Sequence, residues 1–197
     1  FEQDMRIRLS WNTNSLEGNT LSLEETVEII SYDEVRSGHT YSEYTEAKNA
    51  YKAYQKMNFS QIQEIDLNLI RQINGITMDS DGNFRTNQVY IGSLAEVAFL
   101  PPEPEKIAER MENYLFSMQM PGPTEELQKM IQQIAKLHME FEMIHPFRDG
   151  NGRTGRFLMN QMLLNQGILP AIILNHSKYR QAFRIYERNG DTGLMEY

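Results

Sequence analysis

Cysteine is absent from the 197 residues, and no long uninterrupted apolar run is present. The first absence excludes disulfide bridges and thiolate metal sites and favours a reducing compartment, so we expect a cytoplasmic location. The second gives no candidate for a membrane-spanning helix, which needs about 20 apolar residues, and no signal peptide is visible. We therefore expect no membrane partner.

Positive charge is also scarce, because 19 lysines and arginines stand against 27 aspartates and glutamates, for a net charge of −8. A chain this acidic is a poor non-specific binder of nucleic acid, so no nucleic-acid partner is expected. The 40% hydrophobic and 23% charged content is ordinary for a globular protein. The length fits one domain with at most a short appendage.

Helical periodicity dominates the chain and predicts an all-α, mainly helical fold. Ser22 with Glu25, and Ser60 with Gln63, match the capping-box pattern that opens a helix. Pro146 disfavours the helical conformation at the residue before it, so a helix should end at His145. Helices are predicted from Ser22 through Ile30, from about Ser42 to Met57, from Ser60 to Asn74-Gly75, from about Glu105 to Met118, from Thr124 to His145, from the following glycines to Gly167, and from about Lys178 to Glu187.

One stretch has a different pattern. Residues Asp81 to Gly92 begin with turn formers and continue with β-branched and aromatic residues that alternate with polar ones, which predicts a short hairpin. The segment Gly92 to Leu100 is interpreted as a loop, and Pro121-Gly122-Pro123 as a turn.

The stretch HPFRDGNGRTGR, residues 145–156, lies between two predicted helices. Gly150 and Gly152 flank Asn151, and all three tolerate positive φ. A helix starts directly after them, so backbone N–H groups can converge on an anion there. Arg153 and Arg156 share one helix face and suit bidentate phosphate contacts.

Two side chains add reactivity to this anion cradle. Asp149 is a hard oxygen ligand suited to Mg²⁺ bridging two phosphates. His145, with an unperturbed pKa near 6.5, is a candidate base. Base, metal ligand, anion cradle and two arginines together indicate phosphoryl or nucleotidyl transfer.

Competing interpretations are weaker. Gly150, Gly152 and Gly155 also spell the dinucleotide fingerprint, but a helix precedes them where that motif needs a strand, and no acid follows from Phe157 to Tyr186. His138 and His145, seven residues apart without a nearby carboxylate, make a poor metal pair.

The stretch matches the signature H-x-F-x-[DE]-G-N-G-R-x-x-R of the Fic (filamentation induced by cAMP) family at every specified position. Flanking residues and Phe84-Arg85-Thr86 also resemble this family, from about Thr13 to Asp191. The resemblance implies a protein adenylyltransferase that moves AMP from ATP to a hydroxyl side chain of a target protein and releases pyrophosphate. Kinase-like relatives typically replace the second motif glycine and alter the terminal arginine; both Gly152 and Arg156 are present here.

The resemblance implies a role for each motif residue. His145 deprotonates the target hydroxyl, Asp149 holds Mg²⁺, and Phe147 packs into the core. The predicted hairpin from Arg85 to Gly92 resembles the family's flap, along which the target protein lies. The implied nucleotide and phosphate contacts are Gly150, Asn151, Gly152, Arg153, Thr154, Gly155, Arg156, Val89, Tyr90, Ile91 and Gly92, with Asn160 and Tyr179 as pocket candidates for which packing explains the pattern equally well.

Thr13 to Gly18 matches the family's inhibitory motif [ST]-x-x-x-E-[GN]. The resemblance implies that Glu17 pairs with Arg156 and occupies the region of the ATP γ-phosphate. The alternative is a glutamate at a helix end that faces water. We expect residues 1–40 to form an N-terminal helical segment carrying this motif, and residues 41–197 to form the catalytic domain.

Several alternatives stay open. The protein could act predominantly in removing AMP, or could use another phosphate-containing donor; a non-catalytic nucleotide-binding module is disfavoured by the intact His145 and Asp149. Self-modification and a homodimer are compatible with the resemblance.

Overall fold

The computed structural model describes residues 1–34, 36–93, 96–118 and 127–196. Within these ranges the chain is mainly helical, which confirms the predicted fold class. The helices are α1 (Glu2–Leu16), α2 (Leu23–Tyr32), α3 (Tyr41–Tyr54), α4 (Leu67–Met78), α5 (Ile107–Ser117), α6 (Leu127–Ile144), α7 (Asn151–Asn165) and α8 (His176–Asn189), with strands β1 (Ile91–Ser93) and β2 (Glu96–Phe99) and a 3₁₀ turn at Pro104–Lys106. The predicted turn at residues 121–123 and the predicted cap at Thr124 lie outside the described residues. No helix in the described part of the chain is long and apolar enough to cross a membrane.

The capping box predicted at α2 is confirmed. Ser22 Oγ accepts from the backbone N–H of Glu25 at 3.2 Å, and the Glu25 carboxylate accepts from the Ser22 N–H at 2.9 Å. Thr40 and Glu43 form a second capping box at the start of α3. These local contacts satisfy backbone donors that a helix leaves without partners at its N-terminus.

The capping box predicted at Ser60 is wrong, because α4 begins at Leu67 with Asp66 as its cap. Asp66 Oδ1 accepts from the backbone N–H of Leu69 at 2.7 Å. The predicted stop at Asn74-Gly75 is also wrong, since the helix continues to Met78. Gly75 instead allows the backbone at Ser80 to approach α4 closely, because a Cβ at position 75 would lie 2.9 Å from the carbonyl oxygen of Ser80.

The hairpin predicted over residues 81–92 is wrong in its position. Residues 81–90 form no strand, and β1 pairs antiparallel with β2, so that Ile91 lies opposite Phe99 and Ser93 opposite Glu96. The interpretation of Gly92 to Leu100 as a loop is wrong for the same reason. Residues 81–90 are held by contacts with other parts of the chain instead. The Arg71 side chain donates to Gly82 O, and the backbone N–H of Arg85 donates to Pro146 O.

Helices α6 and α7 pack against each other at the centre of the fold, and α4 packs against α7. Phe141 of α6 and Phe157 of α7 have no solvent exposure, and both belong to the main core. Helix α1 packs on α3 and α7. The loop between α6 and α7, residues 145–150, is therefore held by a rigid frame on both sides.

Candidate active site

His145 lies directly after the last residue of α6, which confirms the predicted helix end. Its backbone has φ +50°, a left-handed conformation that is uncommon for a residue with a side chain. The side chain is half-buried, and burial lowers the pKa of the imidazole to about 4. At neutral pH the imidazole is therefore uncharged and able to accept a proton.

The loop after His145 is fastened by the buried Asn151 side chain. Its Oδ1 accepts from Phe147 N and its Nδ2 donates to Phe147 O, both at 2.9 Å. The Phe147 ring is 1% exposed and lies 5.4 Å from the Phe84 ring, which confirms its predicted packing in the core. The loop conformation is thus fixed by the hydrogen bonds between Asn151 and Phe147 and by the packing of the Phe147 ring in the core.

Asn74 of α4 supports the same loop, although the sequence pattern indicated only a helix stop there. Its Nδ2 donates to Asp149 O at 2.9 Å and to Thr154 Oγ1 at 3.2 Å. Gly150 has φ +75°, and a Cβ on it would lie 2.6 Å from the Met78 side chain. A larger residue at position 150 would therefore push the loop away from α4.

Helix α7 begins at Asn151 without a side-chain cap, so its first N–H groups are available for an anion. Arg153 is 8% exposed, and its Nε is buried without a hydrogen-bond partner in the described residues. Its Nη2 lies 3.7 Å from Asp149 Oδ1. Uncapped N–H groups and an under-used buried guanidinium beside them make an anion-binding site.

Arg156 is 3% exposed and lies in a hydrogen-bonded network. Its Nε donates to Thr13 Oγ1 at 2.8 Å and its Nη1 to Tyr179 Oη at 3.3 Å. The Tyr179 hydroxyl also lies 2.8 Å from Nε2 of the fully buried His138. Burial lowers the pKa of His138 to about 3, so we assign it as the neutral acceptor of the Tyr179 hydrogen.

Glu17 is the C-cap of α1, and its Oε1 accepts from Arg156 Nη2 at 2.5 Å. The predicted Glu17–Arg156 pair is therefore present, and the glutamate does not simply face water. A Cβ on Gly152 would lie 2.6 Å from Glu17 Oε1. The carboxylate thus lies against the N-terminal turn of α7, where an anion would bind.

Asp149 is the most exposed acid of the site, with 72% of its side chain accessible. Its Oδ1 accepts from the backbone N–H of Gly150 at 2.6 Å. The described residues contain no group of three or more metal-ligating side chains. One largely exposed carboxylate beside an anion site nevertheless fits Mg²⁺, which proteins usually hold through one or two carboxylates together with substrate phosphates.

A groove of about 820 Å³ opens beside Asp149. Arg148 lines it together with residues 85–89, so five of the predicted flap residues share a surface with the loop. The Tyr90 side chain is 66% exposed, and Ile91 and Gly92 lie in β1.

Two pocket candidates have structural partners. Asn160 Oδ1 accepts from Ala171 N at 2.7 Å and so ties α7 to the segment that follows it. Tyr179 contacts His138 and Arg156.

Gly155 lies against α6, where a Cβ on it would be 2.5 Å from Glu142 Oε1.

Residues 57–163, more than half of the chain, match the family model described as the Fic/DOC family. The chain is 33% identical over 178 residues to the protein adenylyltransferase Fic of Drosophila melanogaster, and the match covers 86% of this chain and 35% of that protein. The corresponding protein of Drosophila yakuba is 32% identical over 170 residues, covering 83% of this chain and 33% of that protein. The chain thus spans about a third of the length of the curated relatives it matches.

Solved structures give the same fold. A Fic-domain-containing signaling protein from Bacteroides thetaiotaomicron superposes with a TM-score of 0.81 at 20% identity, covering 97% of this chain and 75% of that one. A Fic family protein from Desulfovibrio desulfuricans superposes with a TM-score of 0.78 at 24% identity, covering 99% and 61%.

Proposed function

Because the chain belongs to the Fic/DOC family, we propose that it is a protein adenylyltransferase, which transfers AMP from ATP to a hydroxyl group of a target protein. The observation that carries this proposal is the short loop that joins the neutral His145 to the uncapped N-terminus of α7. The relatives named as protein adenylyltransferases support it.

In this proposal His145 acts as the general base. Its imidazole accepts the proton of the target hydroxyl while that oxygen attacks the α-phosphorus of ATP. The bond from the α-phosphorus to the bridging oxygen breaks, and pyrophosphate leaves. Such base catalysis contributes about 10²–10⁴-fold to a rate.

The phosphates bind at the start of α7. The N–H groups of Asn151 and Gly152 supply neutral donors, and Arg153 and Arg156 supply charged ones. The N–H of Gly150 donates to Asp149 Oδ1 and so holds the turn that precedes them. Thr154 is fully buried and accepts from Asn74, so we assign it to holding this turn in place.

Asp149 is the residue that would hold Mg²⁺, together with phosphate oxygens of the nucleotide. The bound ion would neutralise charge that develops on the phosphates during transfer. Asp149 is suited to this role because most of its side chain is accessible while its backbone is fixed by Asn74.

We propose that Glu17 inhibits the enzyme. Its carboxylate uses Arg156 Nη2 and lies against Gly152, so a γ-phosphate would meet both an occupied donor and a like charge. ATP must displace Glu17 to bind with its α-phosphate in line for attack.

The target protein is proposed to lie in the groove beside Asp149, along the segment that includes Val89. The chain itself could supply the hydroxyl in a self-modification reaction, and a homodimer and a cytoplasmic location belong to the same set of proposals.

The test compares the wild type with Glu17→Gly and Glu17→Gln, each incubated with Mg²⁺ and ATP labelled on the α-phosphate, alone and with a cell extract as a source of targets. We expect little label on protein with the wild type and strong label with Glu17→Gly. Glu17→Gln removes the charge and keeps the size, so it separates electrostatic from steric inhibition.

His145→Asn in the Glu17→Gly background is the matched inactive control, because asparagine tolerates the left-handed backbone at this position. Label that persists in that double variant contradicts the role of His145. Transfer from ATP labelled on the γ-phosphate instead would show kinase chemistry. Label that the wild type strips from modified protein would indicate AMP removal as the main activity.

A further inference from the structure

Arg85 is a buried arginine that has no acidic partner among the described residues. Its side chain is 5% exposed, and burial lowers the pKa of the guanidinium. Charged side chains are seldom buried without an opposing charge, because desolvation is costly. The hydrogen bonds of Arg85 therefore require an explanation.

The guanidinium donates to three backbone carbonyls. Its Nε donates to His145 O at 2.8 Å, its Nη1 to Asn87 O at 3.1 Å, and its Nη2 to Pro102 O at 2.5 Å. Asn87 and Pro102 lie on opposite sides of the hairpin in the segment from Arg85 to Pro102, which we call the flap segment. One rigid planar group thus joins both ends of the flap segment to the residue assigned as the base.

Two further contacts reinforce this junction. The backbone N–H of Arg85 donates to Pro146 O at 2.9 Å, and Phe84 packs on Phe147. His145 has an unfavourable φ of +50°, which persists only where surrounding contacts enforce it. The hydrogen bond from Arg85 Nε to the His145 carbonyl is one such contact. The helix α6 ends at the residue before His145, so this carbonyl lies outside the helix.

We propose that Arg85 is a positioning residue that couples the flap segment to the orientation of His145. The inference rests on the proposed function, in which the target protein lies along the flap segment. Displacing either end of the segment must move the guanidinium, and with it the His145 carbonyl, or break a charged hydrogen bond in a buried site. Binding of the target protein along the flap segment is thereby linked to the orientation of His145.

The planar, five-donor shape of arginine is essential to this role. Lysine carries the same charge but presents it from a single ammonium group, so it cannot reproduce this flat arrangement of donors. Methionine keeps much of the apolar volume and removes both charge and donors. Arg85→Lys and Arg85→Met therefore separate the electrostatic influence of Arg85 on His145 from the geometric one.

Arg71 offers a matched control within the same region. It donates from Nε to Gly82 O at 3.1 Å and lies beside the Phe84 ring, but it makes no hydrogen bond to His145. Arg71→Met thus removes a carbonyl-binding arginine that holds the neighbouring loop and leaves the hydrogen bonds from Arg85 to His145 and Pro146 in place.

The first measurement is single-turnover AMP transfer at saturating ATP, in the Glu17→Gly background. We expect Arg85→Met and Arg85→Lys to lower the rate constant by about 10²-fold, the order of loss for a misplaced catalytic group. The ATP concentration at half-maximal rate should change little, because Arg85 does not contact the phosphate site. Arg71→Met should keep the rate. A normal rate in both Arg85 variants, or a loss confined to ATP affinity, overturns the proposal.

The second measurement is the NMR titration of the His145 imidazole, assigned with His145→Asn. Burial is the main cause of the low pKa of His145, and the charge of Arg85 lowers the pKa further, while Asp149 and Glu17 raise it. Arg85→Met should therefore raise the pKa, and Arg85→Lys should largely retain it. If the pKa and the ring chemical shifts of His145 in both Arg85 variants are identical to those in Arg71→Met, the result counts against the coupling.

The titration does not depend on catalysis, and melting temperatures establish that each variant is folded. If no variant or parent transfers AMP, the proposed function fails, while the titration still decides whether Arg85 acts on His145.

Discussion

A histidine held in the left-handed region and half-buried has a chemistry different from that of a histidine on a helix surface. Burial disfavours the imidazolium, which lowers the pKa of His145 to about 4. In its proposed role as the base, His145 would therefore be unprotonated at any pH above about 5, without a neighbouring carboxylate to activate it.

This property gives a prediction about pH. In the Glu17→Gly background, the rate of AMP transfer should stay level from pH 8 down to about 5.5 and fall with a midpoint near 4, because the group must lose its proton to act as a base. Single-turnover rates across this range, with melting temperatures to exclude unfolding, test it. A midpoint near 6.5 would show that burial does not govern the base.

For single residues, the sequence predicts the ones whose type and spacing are typical of a chemistry, such as His145 and Asp149. It does not identify residues that act through the backbone. Asn74 precedes a glycine and so resembles a helix stop, yet its amide holds the Asp149 carbonyl. Nothing in the local pattern around Arg85 indicates that its guanidinium joins carbonyls 60 and 17 residues away.

Helix α1 illustrates how an element holds Glu17, the proposed inhibitory residue, in place. Asn12 is 4% exposed, and its side chain donates to Ile173 O at 2.8 Å and accepts from Ile173 N at 2.9 Å. Arg6 donates to the carbonyls of Tyr54 and Met57. Glu17 reaches Arg156 because the whole helix is bonded to the body of the fold.

Asn12→Ala should therefore weaken inhibition without touching Glu17. Both backbone groups of Ile173 lose a partner, which costs about 1–3 kcal/mol of unfolding free energy, and the looser helix should let AMP labelling rise above the wild-type level. Urea denaturation and α-labelled ATP measure the two effects. Asn113→Ala, at an exposed position of α5, is the control. A lower urea midpoint with unchanged labelling would mean that the Glu17–Arg156 contact alone sustains the inhibition.

Element prediction succeeded where local signals agree and failed where long-range contacts decide. The Ser22 capping box and the helix end before Pro146 depend on neighbours in sequence. The predicted hairpin lies too early in the chain, because the backbone N–H of Arg85 donates to Pro146 O, 61 residues further along. Such a contact has no signature within a short window.

Across the whole molecule, the mainly helical architecture follows from periodicity, whereas the charge balance of the interior does not. Glu142 of α6 has a buried Oε1 without a hydrogen-bond partner in the described residues. Burial raises the pKa of this carboxyl to about 8, despite the nearby charge of Arg156. The folded protein thus keeps Glu142 protonated at neutral pH.

A raised pKa makes stability depend on pH. Between the unfolded value of 4.5 and about 8, the folded state binds one more proton at Glu142 than the unfolded state does, so its contribution to the unfolding free energy declines as pH rises. Glu142→Gln cannot titrate. The variant should therefore gain stability relative to the wild type from pH 4.5 to 8, and the difference should level off above that.

Chemical denaturation at several pH values measures this difference, with Glu112→Gln on the exposed face of α5 as the matched control. A pH trend no larger than that of the control contradicts the buried, protonated state of Glu142.

The position of Glu17 against Gly152 has one more consequence. A carboxylate that is attached to the chain and reaches the proposed phosphate position acts as a tethered ligand. Its effective concentration there is set by the reach and stiffness of its attachment. In the proposed function, free ATP competes with Glu17 at that effective concentration. The enzyme would then respond to nucleotide supply in a graded manner, and its threshold would be set by how firmly α1 is docked rather than by any residue that takes part in the transfer.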